Sequence, residues 1–273
     1  LCDCFESLVL FYDTQNWYHE GAETFQQALT AWRERLAAAE ASETDAMLAR
    51  LAVGQGIFSH RLGQNSQAAV LLEAGLRALE AQPPETAQAE RPMAQYFLGL
   101  VQLDLGEYQL ARDLFEQSLQ RQRVANDSYG VAAALSEIAA IDFQRGRYAE
   151  AKVQIQQALE LRRSIGDQHG LAVSLSTAGE LALELGEFET ALTSLQECAE
   201  ISRRLGKRAV TPYGLRNLGW LAEATGDYVG ARQRFTDSLA LDQGSGDTKE
   251  VANDLLGLCA VALHSGDLAE AER

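Results

Sequence analysis

Large and small apolar residues recur along this chain on a fixed beat. Gly106, Gly146, Gly186, Gly226 and Gly266 each lie 40 residues from the next. Five residues after each comes alanine: Ala111, Ala151, Ala191, Ala231 and Ala271, with Ala68 in the same relation to Gly63. Nine residues after comes a large apolar residue: Leu72, Phe115, Ile155, Leu195, Phe235. Seven before comes a small one, Gly56, Gly99, Ala139, Gly179, Gly219 and Cys259, and five before comes Phe58, Val101, Ile141, Leu181, Leu221 and Val261. Bulky and small positions alternating at helical spacing let two helices approach closely and interlock. The glycine between them supplies a tight turn. Each unit therefore reads as a helical hairpin, and a constant period of this length reads as a stacked repeat array.

The pattern predicts one array over residues 1–273, with hairpins turning near 16, 63, 106, 146, 186 and 226 and a truncated seventh at 266. The fold class is all-α. Residues 1–64 are less regular. Leu1 to Thr14 form an apolar helix, the turn falls near Gln15-Asn16, and a second helix runs from about Trp17 well past Trp32. The step from Gly63 to Gly106 is 43 residues, the excess lying in Gln82-Pro83-Pro84-Glu85, a proline stop between helices. Pro92 and Pro212 each stand 14 residues before a repeat glycine, where a helix opens and an N–H needs no partner. A second kind of turn joins successive hairpins: Ala125-Asn126-Asp127, Ile165-Gly166-Asp167, Leu205-Gly206-Lys207 and Ser245-Gly246-Asp247. Gly or Asn suits a left-handed helix end, and Asp can cap the next helix.

This order of small residue, turn glycine, aromatic, alanine and large apolar residue resembles the tetratricopeptide repeat (TPR) family, in its longer variant of about 40 residues per repeat. The resemblance implies a right-handed superhelical solenoid of antiparallel hairpins. The wording of Leu161-Arg162-Arg163-Ser164-Ile165-Gly166-Asp167, followed by Leu171 to Gly186, is similar to arrays at the C-termini of bacterial STAND-type signalling ATPases and large transcription regulators. In those relatives the array follows a nucleotide-binding switch module, and this sequence has no phosphate-loop motif.

The resemblance also implies that the first helix of each hairpin lines the concave face. Carried over by register, the hairpin turning at Gly226 presents Tyr213, Arg216, Asn217, Trp220 and Glu223. The one at Gly186 presents Val173, Ser176, Thr177, Glu180, Leu183 and Glu184; the one at Gly146, Ser136, Glu137, Ala140, Phe143 and Gln144; the one at Gly106, Met93, Tyr96, Phe97, Leu100 and Asp104. The partner-binding set is Tyr96, Phe97, Glu137, Phe143, Glu180, Tyr213, Arg216, Asn217, Trp220 and Glu223. Trp220 stands out, because Glu180, Ala140 and Ala260 hold its register in sister repeats. Trp, Tyr and Arg most often dominate interfaces. The plainer alternative is that Trp220 packs over its own hairpin edge with its N–H in water. Asn217 matches the family's peptide-clamp position, but Phe97, Glu137, Thr177 and Gly257 hold that register elsewhere, so there is no ladder of clamp asparagines. Glu137, Glu180 and Glu223 would favour a basic ligand, or else are solvated helical glutamates.

Charge narrows the partner class. With 23 basic against 39 acidic residues the chain carries −16, which argues against nucleic acid and anionic membrane. No apolar run is long enough to span a bilayer. Cys2-x-Cys4 lacks a second ligand pair, and His19, His60, His169 and His264 are scattered, so neither a metal nor another cofactor is expected. Cys198 and Cys259 read as packed free thiols suited to a reducing cytosol, hence a cytoplasmic protein. No nucleophile elbow, phosphate cradle or acid–base pair is legible, and an enzyme is not expected. The chain opens on Leu1 and stops just after a new repeat starts, and so reads as a piece of a longer protein. The expected function is a non-catalytic interaction and ligand-sensing scaffold of a bacterial signalling protein, taking a protein or peptide in its concave groove. The alternatives are a homo-oligomer stacking through exposed terminal hairpins and a sensor of a small-molecule inducer.

Overall fold

A computed structural model describes residues 5–15, 17–38, 46–83, 90–205, 211–245 and 248–266, with side chains throughout except at 6, 14, 38, 211–213, 244–245 and 248–250. Cys2, Cys4, Asn16, Pro84, Glu85, Gly206, Lys207, Gly246, Asp247 and the stub from Leu268 to Arg273 lie outside the described residues. The chain forms two compact units, residues 1–138 and 139–273. Among the described residues all regular structure is helical.

The first unit holds α1 (Phe5–Gln15), α2 (Tyr18–Ala38), α3 (Ala46–Arg61), α4 (Asn65–Glu80), α5 (Glu90–Asp104), α6 (Tyr108–Val124) and most of α7 (Ser128–Gln144). The second holds the end of α7, then α8 (Tyr148–Ile165), α9 (Gln168–Glu184), α10 (Phe188–Leu205), α11 (Thr211–Ala224), α12 (Tyr228–Ser245) and α13 (Thr248–Ser265). Within the units, α3 packs on α4, α5 on α6, α9 on α10 and α11 on α12 as antiparallel hairpins. Short turns leave no other arrangement for consecutive helices.

The turn at Gly186 shows how each hairpin reverses. Its φ of 70° is left-handed, a region that favours glycine. Its N–H donates to Leu183 O at 3.0 Å and that of Glu187 to Ala182 O at 2.8 Å, satisfying carbonyls that end α9. Gly63, Gly106, Gly146 and Gly226 repeat this conformation.

The joint between hairpins has different chemistry. Gly166 ends α8 at φ 73°, Asp167 caps α9 by accepting from Gly170 N–H at 2.9 Å, and Arg162, buried near the end of α8, donates to the Gly170 carbonyl. At the earlier joint Asn126 takes the left-handed role at φ 55°, and Asp127 accepts from Gly130 N–H at 3.0 Å. The residue three places before each joint is polar and buried in succession: Gln122, Arg162, Ser202 and Asp242.

The cores follow the repeat. In the second unit Ala139, Ala151, Ile155 and Leu181 form one cluster, Ala182, Ala191, Leu195 and Leu221 another, and Ala222, Ala231, Phe235 and Val261 a third. Each draws on three consecutive helices, so stability is built up along a line rather than around one centre. A fully buried Leu195 or Phe235 contributes about 2 kcal/mol to its cluster. The irregular start of the chain is held by aromatics: Phe25 stacks on Phe58 at 5.6 Å and meets the edge of Phe5 at 5.8 Å.

Candidate partner-binding surface

In the second unit the first helices lie side by side, α9 against α11 and α11 against α13. The middle helix fixes the local geometry. Arg216 is buried and reaches two other helices, with Nη2 donating to Asp242 Oδ2 on α12 at 2.6 Å and Nε to Asp254 Oδ1 on α13 at 2.7 Å. One cation thus faces two buried carboxylates. Asn217 is also buried; its amide donates to Ser176 Oγ and to Glu180 Oε1 on α9, both at 2.8 Å. One turn on, Trp220 is half-buried with its ring 5.0 Å from Phe235 in a T-shaped contact. A turn further, Glu223 accepts from His264 Nδ1 on α13.

These placements correct two expectations. Arg216 and Asn217 are not presented to a ligand, because their polar groups are spent inside the protein on Asp242, Asp254, Ser176 and Glu180. Their role is to set α11, and with it Trp220, against its neighbours. Glu180, Trp220 and Glu223 remain half-buried on the first-helix side. The Tyr213 side chain is outside the described set. Phe143 packs at its hairpin turn against Tyr148, ring centroids 5.8 Å apart, and joins the Ala139 cluster.

The remaining candidates belong to the first unit. Tyr96 donates from its hydroxyl to Glu137 at 3.2 Å and touches Phe97 and Phe115, each at 5.5 Å. The Arg61 guanidinium lies 5.5 Å from the Phe97 ring centre and is itself held by Asp13 at 2.8 Å. Tyr96 and Glu137 are therefore brought together, and Phe97 already has a cation on its ring.

Asp242 and Asp254 were missed by reading registers for helix faces. A usable signal was present: Asp254 stands where Ala94, Ala134, Ser174 and Gly214 stand in sister repeats, so an acid replaces a small core residue. Cys198 is fully buried on α10, and burial pushes its thiol up to about 11. His60 donates or accepts through Nδ1 with Asn65 at 3.2 Å, and burial lowers its pKa below the ordinary value. Among the described residues no group of three or more His, Cys, Asp or Glu is placed to share a metal ion, and no helix is long and apolar enough to cross a membrane.

A set of helical hairpins with left-handed glycine turns, small-to-large interlocking and three-helix core clusters defines an α-helical hairpin-repeat protein. The chain belongs to the tetratricopeptide repeat family, whose sequence profile matches residues 90–164, 130–204 and 170–244, more than half its length. Comparison with curated protein sequences gives no match. Among solved structures it is similar to the apo form of RapI, with 16% identity and a TM-score of 0.76 over 97% of this chain and 93% of that one. It is similar to a Rap protein complexed with Competence and Sporulation Factor, with 15% identity and a TM-score of 0.71 over 99% and 74%. It is also similar to a Signal Transduction ATPase with Numerous Domains from Pyrococcus horikoshii that carries a tetratricopeptide repeat sensor, with 16% identity and a TM-score of 0.64 over 82% of this chain and 34% of that one. At these identities the likeness is one of fold.

Proposed function

We propose that the chain is a non-catalytic interaction scaffold of a bacterial signalling protein, and that it takes a protein or peptide segment along the first helices α9, α11 and α13. The observation that supports this most is the side chain of Trp220. It is a large, half-buried aromatic on a first helix, at a register that alanine holds in two sister repeats, Ala140 and Ala260. Aromatic anchors of this kind supply much of the energy at interfaces. The Rap protein in complex with Competence and Sporulation Factor and the signalling ATPase with a repeat sensor are neighbours in fold, and their context favours a sensing role. Binding along the strip would act by favouring one arrangement of the array over another.

The test is affinity selection of a random 12-residue peptide display library on the immobilised protein, with Trp220→Ala as counter-selection. Enrichment on the parent and its loss on the variant is the expected result; no enrichment on the parent overturns the reading.

A second reading rests on α13, where Leu255, Leu256 and Leu263 are 50%, 63% and 52% exposed. Apolar side chains gathered on one helix can join two copies of a chain. Light scattering over a dilution series tests this, and a mass that stays monomeric at every concentration removes it.

A further inference from the structure

We propose that Trp220, bracketed by Glu180 and Glu223, is a seat for a positively charged side chain, Lys or Arg, of the bound segment. This rests on the reading of α9, α11 and α13 as the binding strip and gives the chemistry of its occupant.

Placement comes first. Asn217 ties the Glu180 carboxylate to α11 one turn before Trp220, and Glu223 follows one turn after it. Asn217, which holds Glu180, and Glu223 are thus about 9 Å apart along the axis of α11, with Trp220 midway between them.

Electrostatics points the same way. Helix α9 carries Glu180 and Glu184 and no Lys or Arg. The one cation of α11, Arg216, is buried between Asp242 and Asp254, and Lys249 of α13 stands in that helix's first turn. Among the described residues, the other Lys and Arg of helices α8 to α12 are on the second helices, Lys152, Arg162 and Arg163 on α8, Arg203 and Arg204 on α10, Arg232 and Arg234 on α12, and His264 of α13 is paired with Glu223. The strip thus offers carboxylates and an aromatic face, and an acidic partner would meet like charge there. Trp is the strongest of the aromatic rings toward a cation, and a planar guanidinium can stack on it while donating to carboxylates at its edge.

The seat is also held in place. Phe235 supports the indole, Arg216 bolts α11 to α12 and α13, and His264 holds Glu223. A side chain entering it would meet groups already ordered, which lowers the entropic cost of binding.

The test uses peptides recovered from the 12-residue display library, synthesised and titrated by calorimetry against the parent chain, Glu180→Gln/Glu223→Gln and Trp220→Phe. The glutamines keep shape and remove charge; the Phe keeps the packing on Phe235 if Trp220→Ala does not fold. The expected result is enrichment of Lys or Arg in the peptides, and affinity loss of about tenfold in the double glutamine variant, shrinking at high salt. Replacing the peptide's Lys or Arg by norleucine should give a similar loss on the parent and little further loss on the glutamine variant. Peptides that depend on Trp220 but show no cation enrichment, or that bind the glutamine variant as tightly as the parent, overturn the cationic seat and leave the binding strip standing. Absence of any enriched peptide overturns both.

Discussion

Phe235 occupies the place that a side chain at Gly219 would need. A Cβ built on Gly219 would lie 2.9 Å from the Phe235 Cε1 and 3.0 Å from its Cζ, and Gly257 on α13 presses on the same ring. The ring is fully buried and cannot step aside. Gly219→Val should therefore lower stability by about 1–3 kcal/mol through overpacking, read as a fall in the urea midpoint. The compensating change Phe235→Leu in the same chain should recover part of the loss, whereas Phe235→Ala alone should cost about 3–5 kcal/mol.

Arg216 gives a sharper test, because removing it strands two buried acids. Arg216→Met should destabilise the second unit by about 3–5 kcal/mol. Replacing Asp242 and Asp254 by leucine as well should restore most of that stability, since an apolar cluster of similar volume needs no compensation for lost hydration. Chemical denaturation followed by circular dichroism checks both outcomes.

The joint at Asp167 predicts a smaller effect. Its carboxylate caps α9 and lies 3.9 Å from the Arg162 Nε. Asp167→Ala should cost about 1 kcal/mol, and Asp167→Asn less, because the amide oxygen can still accept from Gly170 N–H. Differential scanning calorimetry of the two variants separates the cap from the charge.

Two buried groups set opposite pH limits. Burial lowers the His60 pKa, so below the ordinary value of 6.5 the unfolded chain takes up the proton more readily than the folded one. His60 should thus make stability fall as pH drops through about 6.5 toward the lowered native value, and His60→Gln should remove that component. Cys198 acts at the other end: its thiol is pushed from 9.0 to about 11, so the unfolded chain loses the proton first. Stability should decline as pH rises from 9.0 to about 11, and Cys198→Ala should flatten that decline. Urea midpoints across the two pH ranges check both.

The hairpins were legible because each repeated register carries one steric demand. Gly99 faces Phe115, Gly179 faces Leu195 and Gly219 faces Phe235, and a glycine seven residues before a turn pairs with bulk nine residues after it. Repetition turns such a pair into a visible period. The candidate surface was legible only in part, since register assigns a residue to a helix face and says nothing of its partner. Arg216 and Asn217 have the right register for presentation, yet Asp242 and Asp254 lie 26 and 38 residues further on and Glu180 lies 37 residues back, and together these draw both side chains inward. No neighbouring residue announces those contacts. Trp220 was legible for the reverse reason: it departs from Ala140, Ala260 and Glu180 at its register, although Ile57 and Leu100 fill that register with bulk in the first unit.

The polar residues that close the second helices carry a consequence for how such a chain can evolve. Gln122, Arg162, Ser202 and Asp242 share one buried place but differ in charge and reach; Arg162 is matched to Gly170 on the helix that follows, and Asp242 to Arg216 on the helix before it. The hairpins look alike yet are cut to different keys. Swapping two of them, or copying one in tandem, would set a guanidinium or a carboxylate in a lock made for its opposite, so the order of the units is inherited along with the units themselves.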